Sequence, residues 1–596
     1  MKPTIEILTK LQENSKKHHD EVFTRLYRYL LRPDIYSIAY QHLYSNEGAG
    51  TKGVDEDTAD GFSEEYVERI IEALRTETYR PKPVRRSYIQ KSNGKMRPLG
   101  LPTFTDKLVQ EVMRMILEAV YEPVFSNYSH GFRPGRSCHT ALSQLKHEFI
   151  GAGWFVEGDI KGCFDNIGHT VLIAVIGRKI KDARFLKLIR LFLKSGYMED
   201  WKYYGTYSGC PQGGIISPIL ANIYLNELDS YIEELKKEFD VRTPYRTTPA
   251  YHAIERKRAN LRRKIDRREA GPERDLLIAE YKKLTSELYK TPAKLCDDKK
   301  LKYVRYADDF LVAVNGSKQD CEWIKAKLTE FIQNTLKMEL SQEKTLITHS
   351  NTPARFLGYD VRVRRDQQVK PWKKCKQRTM NNTVELLIPL QDKIEKFLLS
   401  KGIVTQRADN GKLEPTSRLS LLRHTDLEIV TVFDAELRGI CNYYHLASNY
   451  RSLNYFSYLM EYSCLKTLSG KHRCKLSKIY DKYRIGEKRW GIPYETKAGK
   501  KVRRLTKFNE IDDKKCEDIE PKVITIVAKG RTTIDDRLKA RVCELCGRTD
   551  VKLEVHHVNK VKNLKGKEPW EQVMIAKRRK TLAVCHDCHQ KIHHGF

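Results

Sequence analysis

Residues 301–314 decide the fold, and they read Leu301-Lys-Tyr-Val-Arg-Tyr-Ala-Asp-Asp-Phe-Leu-Val-Ala-Val314. Valine, tyrosine, phenylalanine and leucine flank a short polar centre, a pattern that predicts two strands joined as a hairpin. The turn carries the adjacent carboxylates Asp308 and Asp309. Oxygen ligands of this kind suit Mg²⁺. A solvated acidic turn is the alternative, because Asp is a common turn residue.

The composition indicates the class of partner. The chain has 596 residues, which predicts several domains, and its formal net charge is +32. Because the basic residues are spread over the whole length, they favour nucleic acid over a membrane surface. The N-terminus lacks the apolar core of a secretory signal, and no window holds the roughly 18–20 apolar residues of a membrane helix. We therefore expect a cytoplasmic protein without a membrane partner.

Periodicity predicts the elements on both sides of the hairpin. The predicted helices are 21–31 (ended by Pro33), 63–74, 106–120, 219–228, 320–336 and most of 381–480. The predicted strands are 84–90 and 96–102 (a basic hairpin), 154–159, 341–347 and 356–363. A densely basic stretch within about 235–300 is interpreted as a helical insertion, which either contacts RNA or is simply solvated.

A third acid, Asp159, ends the strand at 154–159. Phosphoryl transfer with two metal ions needs carboxylates that converge from separate elements. An Asp at the end of one strand and an Asp-Asp hairpin beside it satisfy that need. In addition, Lys95 and Arg97 are placed to hold a triphosphate, Gln212 to line a base-pair pocket, and Phe164 to lie under a sugar.

These motifs carry a family resemblance. The order and spacing are those of reverse transcriptase blocks, and the chain resembles the group II intron-encoded reverse transcriptases. The matching stretches are Gly131–Ser137, Asp159–Asn166, Pro211–Gly213, Tyr306–Asp309, Lys344, Phe356–Gly358 and Leu437–Tyr444.

The resemblance implies an α+β multidomain fold. It comprises right-hand polymerase fingers and palm, an α-helical thumb (maturase domain X), a basic DNA-binding region and a small ββα-metal HNH domain. The expected bounds are an RNA-binding N-terminal extension at 1–80, fingers and palm at 81–375 with the insertion at about 235–300, the thumb at 376–485, the DNA-binding region at 486–540 and the HNH domain at 541–596.

The resemblance also implies roles in copying RNA. Asp159, Asp308 and Asp309 are expected to hold Mg²⁺ and to be catalytic. The residues expected near the nucleotide are Lys95, Arg97, Gln212 and Lys344, with Phe164 as the sugar gate. Asp165 is not assigned to metal, because an acid next to an aromatic residue pairs or caps locally just as readily.

Two cysteine pairs close the chain. Cys543, Cys546, Cys585 and Cys588 have the spacing of a structural Zn²⁺ site with four thiolates. His589 and His593 share a helix face at i, i+4 spacing. The stretch resembles an HNH nuclease, which implies that His556, His589 and His593 hold a divalent ion and that His557 is the general base.

Two features leave the nuclease assignment open. Lys580 stands where many HNH sequences have Asn, and neither Asn559 nor Asn563 can be assigned to replace it. A zinc-stabilised DNA-binding module with incidental histidines is the alternative.

Basic and aromatic residues are candidates for RNA contact. The arginines are Arg25, Arg28, Arg133, Arg136 and Arg438. Tyr27, Tyr443 and Tyr444 are either stacking platforms for bases or core residues.

The resemblance implies a multifunctional protein. Its expected partners are the intron RNA, a double-stranded DNA target with its primer, and dNTPs, in a bacterial cytoplasm at the nucleoid. As a maturase it assists splicing; it then cuts one target strand and copies the inserted intron. The alternatives are a reverse transcriptase of another lineage and a maturase without polymerase activity. The oligomeric state stays open, a homodimer included.

Overall fold

The computed structural model describes residues 3–90, 94, 96–210, 213–242, 246–291, 293–295, 298–341, 343–366, 369–372, 375–378, 380–486, 489–496, 499–511 and 533–595. Lys95, Gln212 and residues 487–488, 497–498 and 512–532 of the expected DNA-binding region lie outside these residues. Within them, no helix is long and apolar enough to cross a membrane.

The α-helices are Thr4–Lys17, Pro33–Tyr44, Glu64–Arg75, Phe104–Tyr121, Cys138–Glu148, Cys163–Asn166, His169–Lys179, Ala183–Leu193, Ser217–Phe239, Pro249–Asp266, Pro272–Lys290, Lys318–Asn334, Lys396–Ser400, Asp426–Tyr443, Leu453–His472, Leu476–Lys482, Ile534–Lys539, Pro569–Lys577 and His586–His594.

The strands are Phe62–Ser63, Val84–Gln90, Met96–Leu101, Trp154–Asp159, Tyr197–Glu199, Lys202–Tyr204, Arg246–Thr247, Lys294–Leu295, Lys300–Tyr306, Asp309–Asn315, Ile347–His349, Ala354–Phe356, Tyr359–Val363, Val369–Trp372, Cys375–Arg378, Val384–Leu387, Val404–Gln406, Leu413–Pro415, Arg484–Gly486, Arg489–Trp490, Ile492–Thr496, Gly499–Arg503, Leu553–His557 and Thr581–Cys585.

A four-stranded antiparallel sheet is the frame of the molecule. Its order is Ile347–His349, Trp154–Asp159, Asp309–Asn315 and Lys300–Tyr306. The predicted hairpin at 301–314 is therefore confirmed, and its second strand also pairs with the strand that ends at Asp159. Phe310 crosses that strand at Gly158, where a side chain would meet its ring.

A second four-stranded sheet contains the predicted basic hairpin. Val84–Gln90 pairs with Met96–Leu101 and, on its other side, with Tyr197–Glu199. The helix Phe104–Tyr121 follows, and it is buried along most of its length, including its polar residues Asp106, Gln110, Glu111 and Glu118. The predicted helix at 63–74 is confirmed as Glu64–Arg75, and Ser63 is its N-cap, since its side chain accepts a hydrogen bond from the Tyr66 N–H.

Several predicted elements were wrong. Residues 21–31 form only the short 3₁₀ helix Tyr27–Leu31, because Phe23 is hydrogen-bonded to Lys179 instead. Pro33 does not end a helix but begins Pro33–Tyr44, where its missing N–H costs nothing. Among the described residues of the predicted strand 341–347, only Ile347 is in a strand, and residues 381–480 include strands as well as helices.

The basic insertion consists of two packed helices, Pro249–Asp266 and Pro272–Lys290. Only one residue of each is buried, Leu261 and Leu288. The helical prediction is thus confirmed, while the choice between RNA contact and simple solvation stays open.

The C-terminal unit is joined to the N-terminal region by a shared sheet. Leu553–His557 pairs with Thr581–Cys585 on one side and with Phe62–Ser63 on the other. The helix His586–His594 packs against the first two strands. The two ends of the chain therefore meet.

Candidate metal centres and their surroundings

Strand pairing brings the three predicted carboxylates together at one end of the two central strands of the sheet. Asp309 lies directly opposite Asp159 on one side and Tyr306 on the other, and Asp308 lies in the turn. Lys344 Nζ lies 2.8 Å from Asp159 Oδ2, although 185 residues separate them. The sheet register, rather than any local motif, creates this cluster.

The turn between the two strands of the hairpin is held in place by contacts with Gly131 and Arg305. Ala307 has a φ of 56°, and a Cβ on Gly131 would lie 2.3 Å from its nitrogen, so only glycine fits there. Arg305 donates to Ala307 O at 2.7 Å and forms a fully buried ion pair with Asp229. These contacts determine where Asp308 and Asp309 lie.

Burial and neighbouring negative charge raise the pKa of Asp308 and of Asp309. Desolvation by the surrounding chain, then Asp308 and Asp159, raise the pKa of Asp309 to about 6. Desolvation and Asp159 also raise the pKa of Asp308, against the lowering effect of Arg97 and Lys344. Negative charge is therefore concentrated at this end of the sheet, and a bound divalent cation would reduce the repulsion between the carboxylates.

Two further predicted residues lie near the carboxylates. Phe164 is half-buried, and its ring stands nearly perpendicular to that of Phe132, with centroids 6.1 Å apart. Cys210 N–H donates to Phe164 O at 2.7 Å, which fixes the turn that bears the ring. Arg97 is close enough to lower the pKa of Asp308.

The four predicted cysteines converge. All four sulfur atoms lie within 4.8 Å of one another, and Cys546 alone is exposed. Cys543 Sγ accepts hydrogen bonds from the N–H groups of Cys546 (3.5 Å) and Cys585 (3.3 Å). Backbone and side-chain hydrogen bonds lower the pKa of Cys546 to about 6. Four clustered sulfurs with N–H donors fit a tetrahedral thiolate site for Zn²⁺.

The predicted histidine cluster contains a fourth member, Asp60. Donor atoms of Asp60, His556, His589 and His593 all lie within 4.8 Å of one another. Asp60 Oδ2 is 2.7 Å from His593 Nε2 and 3.2 Å from His589 Nε2, and Asp60 Oδ1 is 3.2 Å from His556 Nδ1. One carboxylate thus faces three imidazoles.

The arrangement of these side chains fits a divalent ion. His556 is buried: its Nδ1 has the ion-pair contact with Asp60 Oδ1 but no hydrogen bond of good geometry, and its Nε2 lacks a hydrogen-bond partner in the described part of the chain. His589 Nδ1 is 2.6 Å from Glu554 Oε2, the outer contact that usually orients a metal-binding histidine. Burial would lower the pKa of His589, but Asp60 and Glu554 raise it to about 9.

The predicted general base points at the N-terminal region. His557 Nε2 is 3.1 Å from Tyr44 O, and burial lowers the pKa of His557. Lys580 Nζ donates to Ser45 O at 3.1 Å. Asn559 packs against Gly50, where a Cβ would lie 2.2 Å from its Oδ1.

The arginines predicted to contact RNA differ in exposure. Arg25, Arg28 and Arg438 are exposed. Arg133 requires a correction: its side chain is buried and paired with Glu122 at 2.9 Å, because it supports the loop after residue 122. Arg136 donates to the carbonyls of Asn127 and Ser129, so it too serves this loop.

The tyrosines predicted as possible stacking platforms also differ in burial. Tyr27 and Tyr444 are buried and belong to the core, whereas Tyr443 is partly buried and donates to Leu357 O. Sequence reasoning missed three exposed tyrosines on the helix Leu453–His472, which are Tyr455, Tyr458 and Tyr462. Their spacing along one helix face was a detectable signal. Asp60 had none, since it lies about 500 residues from its partners.

Family models match successive parts of the chain. A reverse transcriptase (RNA-dependent DNA polymerase) model matches residues 89–243 and 279–361, a type II intron maturase model matches 381–533, and an AI2M/AI1M-like HNH endonuclease model matches 543–589. The gap in the first match, 244–278, covers the helix Pro249–Asp266 of the basic insertion.

Full-length relatives are similar throughout. The group II intron-encoded protein LtrA of Lactococcus lactis subsp. cremoris is 57% identical over 598 residues, which cover 100% of both chains. The uncharacterized 91 kDa protein in cob intron of Schizosaccharomyces pombe is 36% identical, over 98% of this chain and 72% of that one. The putative COX1/OXI3 intron 1 protein of Saccharomyces cerevisiae is 33% identical, over 94% and 68%.

Proposed function

Because this chain belongs to the group II intron-encoded proteins, we propose which of its residues carry each activity of that family. The protein is an RNA-directed DNA polymerase, a maturase and a DNA endonuclease. It binds its intron RNA and assists splicing, cuts one strand of the DNA target, and copies the inserted intron by target-primed reverse transcription.

Asp159, Asp308 and Asp309 are the ligands of the polymerase metal ions, which we assign as Mg²⁺. The observation that carries this proposal is the register that sets Asp309 opposite Asp159, beside Asp308. Two ions held there would lower the pKa of the primer hydroxyl and neutralise the leaving oxygens. Lys344 orients Asp159, and Arg97 binds the triphosphate; Lys95 and Gln212 are proposed nucleotide contacts as well.

Phe164 selects the sugar of the incoming nucleotide. Its ring is half-buried and packs edge-on against Phe132, and the hydrogen bond from Cys210 N–H to Phe164 O restrains the backbone that bears the ring. A rigid ring under the sugar leaves no room for a 2′-hydroxyl. Substitution of Phe164 by Val should therefore increase ribonucleotide incorporation in primer extension, and an unchanged ratio would contradict the assignment.

His556, His589 and His593 bind the nuclease ion, and His557 removes the proton from the attacking water. A bound divalent ion would polarise the scissile phosphodiester. Cys543, Cys546, Cys585 and Cys588 hold a structural Zn²⁺ that keeps the strands Leu553–His557 and Thr581–Cys585 and the helix His586–His594 together. This unit corresponds to a ββα-metal fold.

The remaining regions bind nucleic acid. We propose fingers and palm over about 81–375, a thumb over 376–485 and DNA binding over 486–540. Exposed Arg25, Arg28 and Arg438 contact the RNA backbone, and Tyr455, Tyr458 and Tyr462 stack on bases. The protein acts at the bacterial nucleoid, where its DNA target lies. A homodimer is tested by light scattering of the RNA-bound protein.

Two variants separate the two chemistries. Asp308→Asn should abolish primer extension on an RNA template while leaving intron RNA binding and second-strand DNA cleavage intact. His557→Ala should have the opposite effect, with loss of cleavage and normal cDNA synthesis. Each variant is the folding control for the other. Loss of RNA binding in a folded Asp308→Asn protein, or normal cleavage by His557→Ala, would contradict the assignment.

A further inference from the structure

Residues 44–63 lie over the histidine face of the C-terminal unit, and we refer to them as the cover. The strand Phe62–Ser63 extends the sheet of that unit, with Phe62 opposite Val555 and Ser63 opposite Glu554. Gly61 N–H also donates to Val555 O at 3.0 Å. Main-chain pairing of this kind is strand addition, which gives a specific contact.

The cover is anchored on both sides of the strand. The side chain of Phe62 is buried and stacks on Tyr40, with ring centroids 4.2 Å apart. Just beyond it, Glu65 forms an ion pair with Lys552 of the nuclease sheet. The cover therefore belongs to the folded N-terminal region and also to the nuclease sheet.

Residues of the cover contact the side chains that a DNA phosphate would need to reach. The Asp60 carboxylate lies among His556, His589 and His593. Tyr44 O lies against His557 Nε2, and Ser45 O accepts a hydrogen bond from Lys580. His593 is still 45% exposed, but His556 and His589 are buried, and Asp60 takes the place that a DNA phosphate would need among the three imidazoles.

Asp60 can supply a fourth ligand beside the three histidines. A catalytic site keeps three protein ligands and leaves the fourth position for substrate or water, whereas four protein ligands close a site. Three imidazoles supply three ligands here, and Asp60 presents an anionic oxygen at the fourth position. A phosphodiester presents the same kind of oxygen with the same sign of charge.

We propose that Asp60 is the fourth ligand of the nuclease ion and holds the place of the scissile phosphodiester, so that the cover keeps the nuclease closed until target DNA displaces it. This inference rests on the proposed nuclease role of the histidine cluster.

Metal binding by the full-length, zinc-loaded protein tests the ligand. Co²⁺ is the probe, because imidazole nitrogens suit such ions and tetrahedral Co²⁺ absorbs visible light far more strongly than Co²⁺ in an all-oxygen octahedral site. Asp60→Asn removes the charge but retains Oδ1, which accepts from His557 N–H at 2.7 Å. The matched control is Glu56→Gln, an exposed acid of the same segment that pairs with Lys52.

Asp60→Asn should weaken Co²⁺ binding by about tenfold or more, since even outer contacts of a metal site are worth about 10–100-fold. Glu56→Gln should bind like the wild type, and His589→Ala should lose the absorption band. Equal affinities for Asp60→Asn and Glu56→Gln, together with loss of the band in His589→Ala, would overturn the role of Asp60 alone. A band that survives in His589→Ala would overturn the proposed nuclease site itself.

Closure is tested with the same proteins at saturating metal. Asp60→Asn should nick double-stranded target DNA several-fold faster than the wild type, because its cover is held less tightly. Hydrogen exchange of residues 60–63 should also rise when target DNA is added to the wild type. Unchanged nicking and unchanged exchange would overturn the closed state.

Discussion

Replacement of Asp229 by Asn should cost the polymerase region about 3–5 kcal/mol of folding free energy, the usual penalty for breaking a buried ion pair. Asp229 and Arg305 are both fully buried. Arg305 Nε donates to Oδ1 at 2.7 Å and Arg305 Nη2 to Oδ2 at 2.6 Å, while the Tyr303 hydroxyl donates to Oδ1 at 2.9 Å. Asn keeps one acceptor and turns an amide N–H₂ toward the guanidinium, so the arginine charge is left buried without a counter-charge.

The substitution of Asp229 should also lower polymerase activity. Arg305 donates to Ala307 O, the carbonyl just before Asp308. An unbalanced guanidinium will no longer hold the hairpin tip, so cDNA synthesis should fall even where the variant remains folded. At roughly 2–4 °C per kcal/mol for a unit of 150–250 residues, the unfolding temperature should drop on the order of 10 °C.

A neighbour on the same helix supplies the control. Glu227 pairs with Arg178 at 2.6 Å, but the arginine side chain is 64% exposed. Glu227→Gln should cost no more than about 1 kcal/mol, as is usual for a surface pair. Thermal unfolding of the full chain and primer extension at 20 °C compare the two variants. The reasoning is wrong if Asp229→Asn unfolds within about 2 °C of Glu227→Gln and extends primers equally well.

Further variants test the other sites. Lys344→Ala should slow cDNA synthesis by at least about tenfold through lost orientation of Asp159, whereas Lys161→Ala, a nearby exposed lysine near Glu339, should not. Cys588→Ser should remove one bound zinc per chain by mass spectrometry and stop DNA cleavage but not polymerisation, and Cys474→Ser, outside the cluster, should do neither. Asp426→Asn should lower stability at pH 7 by roughly 2 kcal/mol: burial alone would raise the pKa of Asp426, but hydrogen bonds from Lys471, Tyr483 and His472 lower it from 3.8 to about 2. Because the folded pKa is the lower one, this stabilisation is complete above about pH 4 and is lost as the pH falls towards 2, so urea unfolding should show the two proteins converging there. Tyr458→Ala should weaken intron RNA binding by about 1–3 kcal/mol in filter binding if a base stacks on it, and equal affinities would remove the helix Leu453–His472 from the RNA contact.

Local patterns were sufficient for the elements that bear the chemistry. Strand-favouring residues on both sides of Asp308 and Asp309 predicted the hairpin, because strand preference and turn composition act over a few residues. The same holds for the basic hairpin at 84–101 and the helix capped by Ser63. The CxxC spacing likewise located the four cysteines that converge. At 21–31 the apolar residues have helical spacing, but tertiary contacts such as the hydrogen bond from Phe23 N–H to Lys179 O determine the backbone there instead.

Tertiary structure decided how these elements meet in detail. The sequence predicted that Asp159 and the hairpin acids converge, but only the sheet register sets Asp309 directly opposite Asp159. The burial of Arg133 against Glu122 and the ion pair between Arg305 and Asp229 join residues whose own neighbours carry no sign of the contact. Asp60 is a further case, 529 residues from His589 in sequence and 3.2 Å from it in space. Local sequence determines which side chains each helix, strand or turn presents, because secondary-structure propensity acts between neighbouring residues. Which of them meet is determined by packing of the whole chain, since burial and charge pairing act between residues of any separation.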